Sequence, residues 1–148
     1  MPQATYQQAG KAIDFVPTAP VAAGDVIVVG DDLVGVAKTP IDAHHLGALA
    51  TEGVFNAVKD DSDLSAGDAL YWDADGDPVG GTAGSGAFSG DAGAGPYAGR
   101  VLAPAGAAAG TVLMRLDQLS PSRVPDPPAS GNWFLQSIGG VVEWVEDT

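Results

Sequence analysis

The sequence predicts an all-β protein: a small β-barrel or sandwich of short strands with a long glycine-rich loop, a proline-rich linker and a C-terminal β-hairpin. Three observations lead there. Glycine (21) and proline (11) punctuate the 148 residues so often that long helices have little room. Short β-prone apolar runs follow turn residues directly. No window of about 12 residues carries a capped apolar period of 3.6.

The strands follow in order. Residues 11–16 alternate, with Ala12 and Ile13 near Phe15. Val21-Ala22-Ala23-Gly24-Asp25 is a turn that launches Val26-Ile27-Val28-Val29. Asp31-Asp32 turns the chain, and residues 33–37 return as the hairpin partner of residues 26–29. Residues 46–50 and 53–58 carry apolar side chains on short spacings. Leu64-Ser65-Ala66-Gly67-Asp68 launches Ala69-Leu70-Tyr71-Trp72, and residues 97–103 supply a further strand. Ala107-Ala108-Ala109-Gly110-Thr111 leads into residues 112–116.

Gly24, Gly67 and Gly110 are spaced by 43 residues. Each turn offers a residue free to take positive φ before an apolar run. The echo suggests a repeated corner; internal duplication and coincidence both account for equal spacing of three short motifs.

Residues 80–95, GGTAGSGAFSGDAGAG, read as a flexible loop with Phe88 as its one large apolar residue. The loop is either a segment that orders on assembly with Phe88 as anchor or a tolerated insertion. Residues 118–131 contain Pro121, Pro125, Pro127 and Pro128 and read as an extended linker. The chain therefore divides into a β domain (1–117), a linker (118–131) and a C-terminal hairpin (132–148).

In that last segment Gly139-Gly140 separates two apolar runs, a strong hairpin signal. Counting outward pairs Ile138 with Val141, Ser137 with Val142 and Leu135 with Trp144. One face then carries Trp133, Leu135, Val142 and Trp144, and the other Phe134, Ile138, Val141 and Val145. A lone hairpin is marginal in water, and one apolar on both faces must dock, on its own domain or on a neighbour. Trp133, Phe134, Leu135, Val142 and Trp144, together with Phe88, are therefore the expected partner-binding residues.

Charge narrows the function classes. The net charge is −13, and the six basic residues, Lys11, Lys38, Lys59, Arg100, Arg115 and Arg123, are scattered along the chain. Such a chain repels nucleic acid and anionic membranes. No apolar run approaches a membrane span. Residues 1–10 lack the pattern of a signal peptide, so synthesis in the cytoplasm is expected.

Catalytic and metal motifs are not evident. Asp73-Ala74-Asp75-Gly76-Asp77 spaces oxygen ligands as a calcium loop does, but Gly76 falls at position 4 of that loop and Gly84 at position 12, against Gly at 6 and Glu at 12. Asp75-Gly76 reads better as a tight turn leading to Pro78-Val79. His44-His45 are adjacent, so on a strand they point to opposite faces, and a solvated loop is expected. There is no cysteine, and no serine sits in a Gly-x-Ser-x-Gly elbow. No phosphate loop is present. The expectation is a non-enzyme with no cofactor and no metal.

The ordered segments Gly10-Lys11-Ala12-Ile13-Asp14-Phe15, Ala22-Ala23-Gly24-Asp25-Val26-Ile27-Val28-Val29, Leu33-Val34-Gly35-Val36-Ala37, Gly47-Ala48-Leu49-Ala50-Thr51-Glu52-Gly53-Val54-Phe55, Ala66-Gly67-Asp68-Ala69-Leu70-Tyr71-Trp72-Asp73 and Ala98-Gly99-Arg100-Val101-Leu102 resemble a family. It is that of the capsid cement, or head-decoration, proteins of tailed bacteriophages. The resemblance runs from about Gly10 to Leu116. It implies a compact β domain on the outer surface of the expanded capsid, bound to the major capsid protein and often trimeric. The linker and hairpin lie outside it. A different class of function, a glycan- or host-surface-binding module on a phage particle, would use Tyr71, Trp72 and Tyr97 to stack on sugars.

Overall fold

The computed structural model describes residues 3–4, 10–118, 133–138 and 141–146. Among them there is no helix, and the chain forms eleven strands in three antiparallel sheets. β1 (Ala12–Phe15), β2 (Val26–Val29), β3 (Leu33–Ala37) and β4 (Gly47–Ala50) make the first, in the order β1-β4-β3-β2. β5 (Gly53–Val58), β6 (Ala69–Asp73), β7 (Ala87–Ser89), β8 (Tyr97–Val101) and β9 (Thr111–Leu116) make the second, in the order β5-β9-β8-β6-β7. β10 (Trp133–Ile138) and β11 (Val141–Glu146) pair with each other.

The first two sheets share a core. Val34 and Val36 of β3 pack with Leu70 and Trp72 of β6, Phe88 of β7, Val101 of β8 and Val112, Met114 and Leu116 of β9. β9 shows the underlying period: alternate residues are exposed and buried along its whole length. β2 does not alternate, because both its faces are covered. Val26 and Val28 join the shared core, while Ile27 and Val29 join a second cluster with Val21, Ala37, Ile41 and Leu49. The second sheet curls until Lys59, just past β5, bridges Phe88 of β7, with the Asp60 amide donating to the Phe88 carbonyl at 3.0 Å.

The sheets are two copies of one plan. β1, β2, β3 and β4 correspond to β5, β6, β8 and β9, with β7 added in the second copy. The registers agree at the start of the hairpins, Val26↔Val36 and Ile27↔Gly35 in one and Ala69↔Arg100 and Leu70↔Gly99 in the other, until a register shift between Leu70 and Tyr71. Phe15↔Gly47 likewise matches Val58↔Thr111. The β3–β4 and β8–β9 pairings differ by one residue.

The repeated corner occurs four times. Val21 bridges Ile41, and Leu64 bridges Ala105. After each of these four residues the same turn forms, with amides of Asp25, His45, Asp68 and Ala109 donating to carbonyls of Ala22, Asp42, Ser65 and Gly106 at 3.2, 3.1, 3.1 and 3.0 Å. Gly24 (φ 92°), His44 (φ 62°) and Gly67 (φ 90°) take the left-handed conformation at the same place in three of them. Asp25 and Asp68 close two turns further, accepting from the Ala22 and Ser65 amides at 2.9 and 2.8 Å. The 43-residue spacing of Gly24 and Gly67 thus reflects a repeated structure. Gly110 does not belong to it; the corner near it spans Ala105 to Ala109.

Two sequence expectations change. Residues 80–95 are interrupted by β7, which pairs Trp72 with Phe88 and Asp73 with Ala87. Pro78-Val79 are not a strand; after the turn that follows Asp73 the chain continues to β7 as the neighbour of β6. The linker expected over residues 118–131 lies outside the described residues apart from Gln118, whose amide donates to the carbonyls of Val34 and Thr51 at 3.0 and 2.9 Å.

Candidate interaction surfaces

Phe88 was expected to anchor a mobile loop to a partner, and its position corrects that. It is 2% exposed, lies in the shared core, and packs against Trp72 with ring centroids 4.9 Å apart. A side chain so enclosed has no surface to offer a neighbour. The sequence hid this because Ala87-Phe88-Ser89 is a three-residue strand within a glycine-rich tract. The same contact buries Trp72, so its ring face is occupied by Phe88 and is not presented for stacking on a sugar.

The C-terminal strands pair in the register counted from the sequence: Ile138↔Val141, Ser137↔Val142 and Leu135↔Trp144, continuing to Phe134↔Val145 and Trp133↔Glu146. The ladder joins neither of the other sheets. Trp133, Leu135, Val142 and Trp144 fall at alternate positions of it, and Phe134 at the intervening one.

Asp60, Asp61, Asp73, Asp75 and Asp77 surround a recess of about 350 Å³. Within it Asp73 and Asp77 accept from backbone amides of Asp75 and Gly84 at 3.1 and 2.7 Å, so these carboxylates brace their own loop. Partial burial works against the Asp60 carboxylate, but hydrogen bonds from Ser62 and Ser89 and the nearby Lys59 ammonium outweigh it and hold its pKa below the ordinary value. Among the described residues no group of three or more acidic or histidine side chains is arranged to hold a metal ion. His44 and His45 occupy the corner after Ile41, where the His45 ring meets the Ala43 carbonyl at 2.9 Å.

Lys59 is fully buried, and among the described residues no carboxylate lies within ion-pair distance of it. Its Nζ donates instead to the carbonyls of Asp60, Gly106 and Ala109 at 2.6, 3.0 and 3.2 Å. The ammonium ties the corner after Ala105, which lacks a left-handed residue and a carboxylate, to the end of β5. Its role is structural.

The outward face of the second sheet is a different matter. Val54, Leu102 and Leu113 are 60%, 44% and 41% exposed there. Arg100 and Arg115, both exposed, are direct cross-strand partners on β8 and β9. Tyr71 and Tyr97 are opposite each other on β6 and β8, ring centroids 6.0 Å apart in an edge-to-face arrangement. Burial pushes the Tyr97 phenol above its ordinary pKa, the Asp117 carboxylate adds to this, and the Arg100 guanidinium opposes it. Along the chain the arginines look scattered. What could have paired them is that each takes an outward position on a strand of the same sheet.

The two large sheets share one core, and the β10–β11 ladder pairs within itself. No curated protein and no solved structure matched the chain. A family model described as phage cement protein matches residues 7–116, which takes in all nine strands of the two large sheets. The chain therefore belongs to the phage cement protein family.

Proposed function

We propose that this chain is a structural capsid cement protein that binds the outer surface of the expanded phage head and stabilises it by bridging capsid subunits. The observation that carries the reading is the family match across the entire two-sheet body. Its partners in this reading are the major capsid protein and further copies of itself, as a homotrimer, and it performs no catalysis. A net charge of −13 suits a position on the capsid exterior, away from packaged DNA.

The hairpin supplies the clamp. It pairs only within itself in the strand ladder, and its sequence is apolar at both sets of alternating positions. Burying Trp133, Leu135, Val142 and Trp144 on one side, and Phe134 on the other, against a neighbouring subunit removes that surface from water. Several such contacts per assembled unit hold the shell by multivalency, since one is lost only while the others keep the protein in place. The test is the heat resistance of expanded shells that lack the protein. Adding it back should raise the temperature at which they come apart, and no rise at saturating protein would contradict the reading.

A further inference from the structure

The arginine pair on the outward face of β8 and β9 stands out in so acidic a chain. Like charges directly opposite on neighbouring strands repel, and here Arg100 faces Arg115. Arg100 donates to the Gly67 carbonyl at 3.0 Å. Val54 lies opposite Arg115, and Leu113 is two residues along the same strand, so exposed apolar surface surrounds the charges. Arginine set in apolar surface is the composition of an interface centre.

The complementary surface is on the same molecule. The aspartate recess lies at the seam where β7 returns to the end of β5. In the order β5-β9-β8-β6-β7 the arginines occupy the strands across the sheet from that seam. One body thus carries a basic apolar face and an acidic recess on different sides. A two-fold dimer through the arginine face would set arginine against arginine. A head-to-tail contact sets it against aspartate, and contacts of that kind close into rings when the rotation permits.

We propose that the β8–β9 face around Arg100 and Arg115 docks the aspartate recess of a second copy of this chain, so that the protein self-associates head to tail. This deepens the self-association named in the cement reading and rests on that part of it. Each copy carries a net charge of −13, so the long-range field opposes association and the local arginine–aspartate pairing is tested by reversing charges on one face at a time.

The test is sedimentation velocity of the full chain at one fixed ionic strength, with two double variants. Arg100→Glu with Arg115→Glu removes the basic face. Asp61→Lys with Asp75→Lys reverses the charge of two exposed residues lining the recess. Each double variant alone should associate about tenfold or more weakly than the wild type while keeping its melting temperature. Mixed together they should associate again, because the reversed charges face each other. A wild-type chain that stays monomeric, double variants that associate normally, or a mixture that stays monomeric would each overturn the proposal. Shell binding is scored separately: its absence in the wild type bears on the cement reading alone.

Discussion

The Nζ of Lys59 lies 3.0 Å from the carbonyl oxygen of Gly106, 47 residues further along the chain. That contact, with those to Asp60 and Ala109, fastens the end of β5 to the corner that leads into β9. Lys59→Met keeps the bulk and removes the donor, leaving part-buried carbonyls short of a partner. Stability should fall by about 2–4 kcal/mol, read as a lower urea midpoint. A midpoint unchanged from wild type would mean that water replaces the ammonium at no cost.

Phe88 and Trp144 should separate folding from assembly. Phe88→Ala empties a core site against Trp72 and should cost about 3–5 kcal/mol, with shell binding lost only as far as the fold is lost. Trp144→Ala should leave the melting temperature of the two-sheet body in place and weaken shell binding at least tenfold, about 1.4 kcal/mol. Collapse of the whole body in Trp144→Ala would place the hairpin in its own core.

The corners yield two effects of opposite sign. Gly67 has φ 90°, a conformation that a Cβ disfavours, so Gly67→Ala should lose about 1 kcal/mol. His44 stands at the matching place with φ 62°, and His44→Gly should gain up to about 1 kcal/mol. Thermal melts of both variants check the correspondence of the four turns.

Asp60 links stability to acid. Its folded pKa is lowered, so the carboxylate stabilises the fold fully above its unfolded pKa of about 4. That contribution disappears as pH falls through the lower folded value. Asp60→Asn should therefore be less stable than wild type near neutral pH, with the gap narrowing in acid. Urea midpoints from about pH 7 to about pH 3 measure it; a gap that widens in acid would reverse the assignment.

The sequence makes the fold readable where local chemistry decides it. A turn followed at once by Val26–Val29 or by Thr111–Leu116 declares a strand, and Gly139-Gly140 fixes the hairpin register by counting alone. Residues whose structure depends on distant partners are hidden. Ala87–Ser89 is too short to show a period, and it is a strand because β6 lies beside it. The corner at His44 carries none of the Ala-Gly-Asp spelling that marks those at Gly24 and Gly67. The Arg100–Arg115 pair needs the β8–β9 register, which no local pattern specifies. Membership of the cement family was legible because its segments recur in order along the two-sheet body.

The central claim is that this protein binds the mature shell. Purified protein should be sedimented with expanded capsids that lack it and, in parallel, with unexpanded precursor shells. Saturable co-sedimentation with the expanded shells alone is the expected result. A well-folded protein that stays in the supernatant with both would contradict the account.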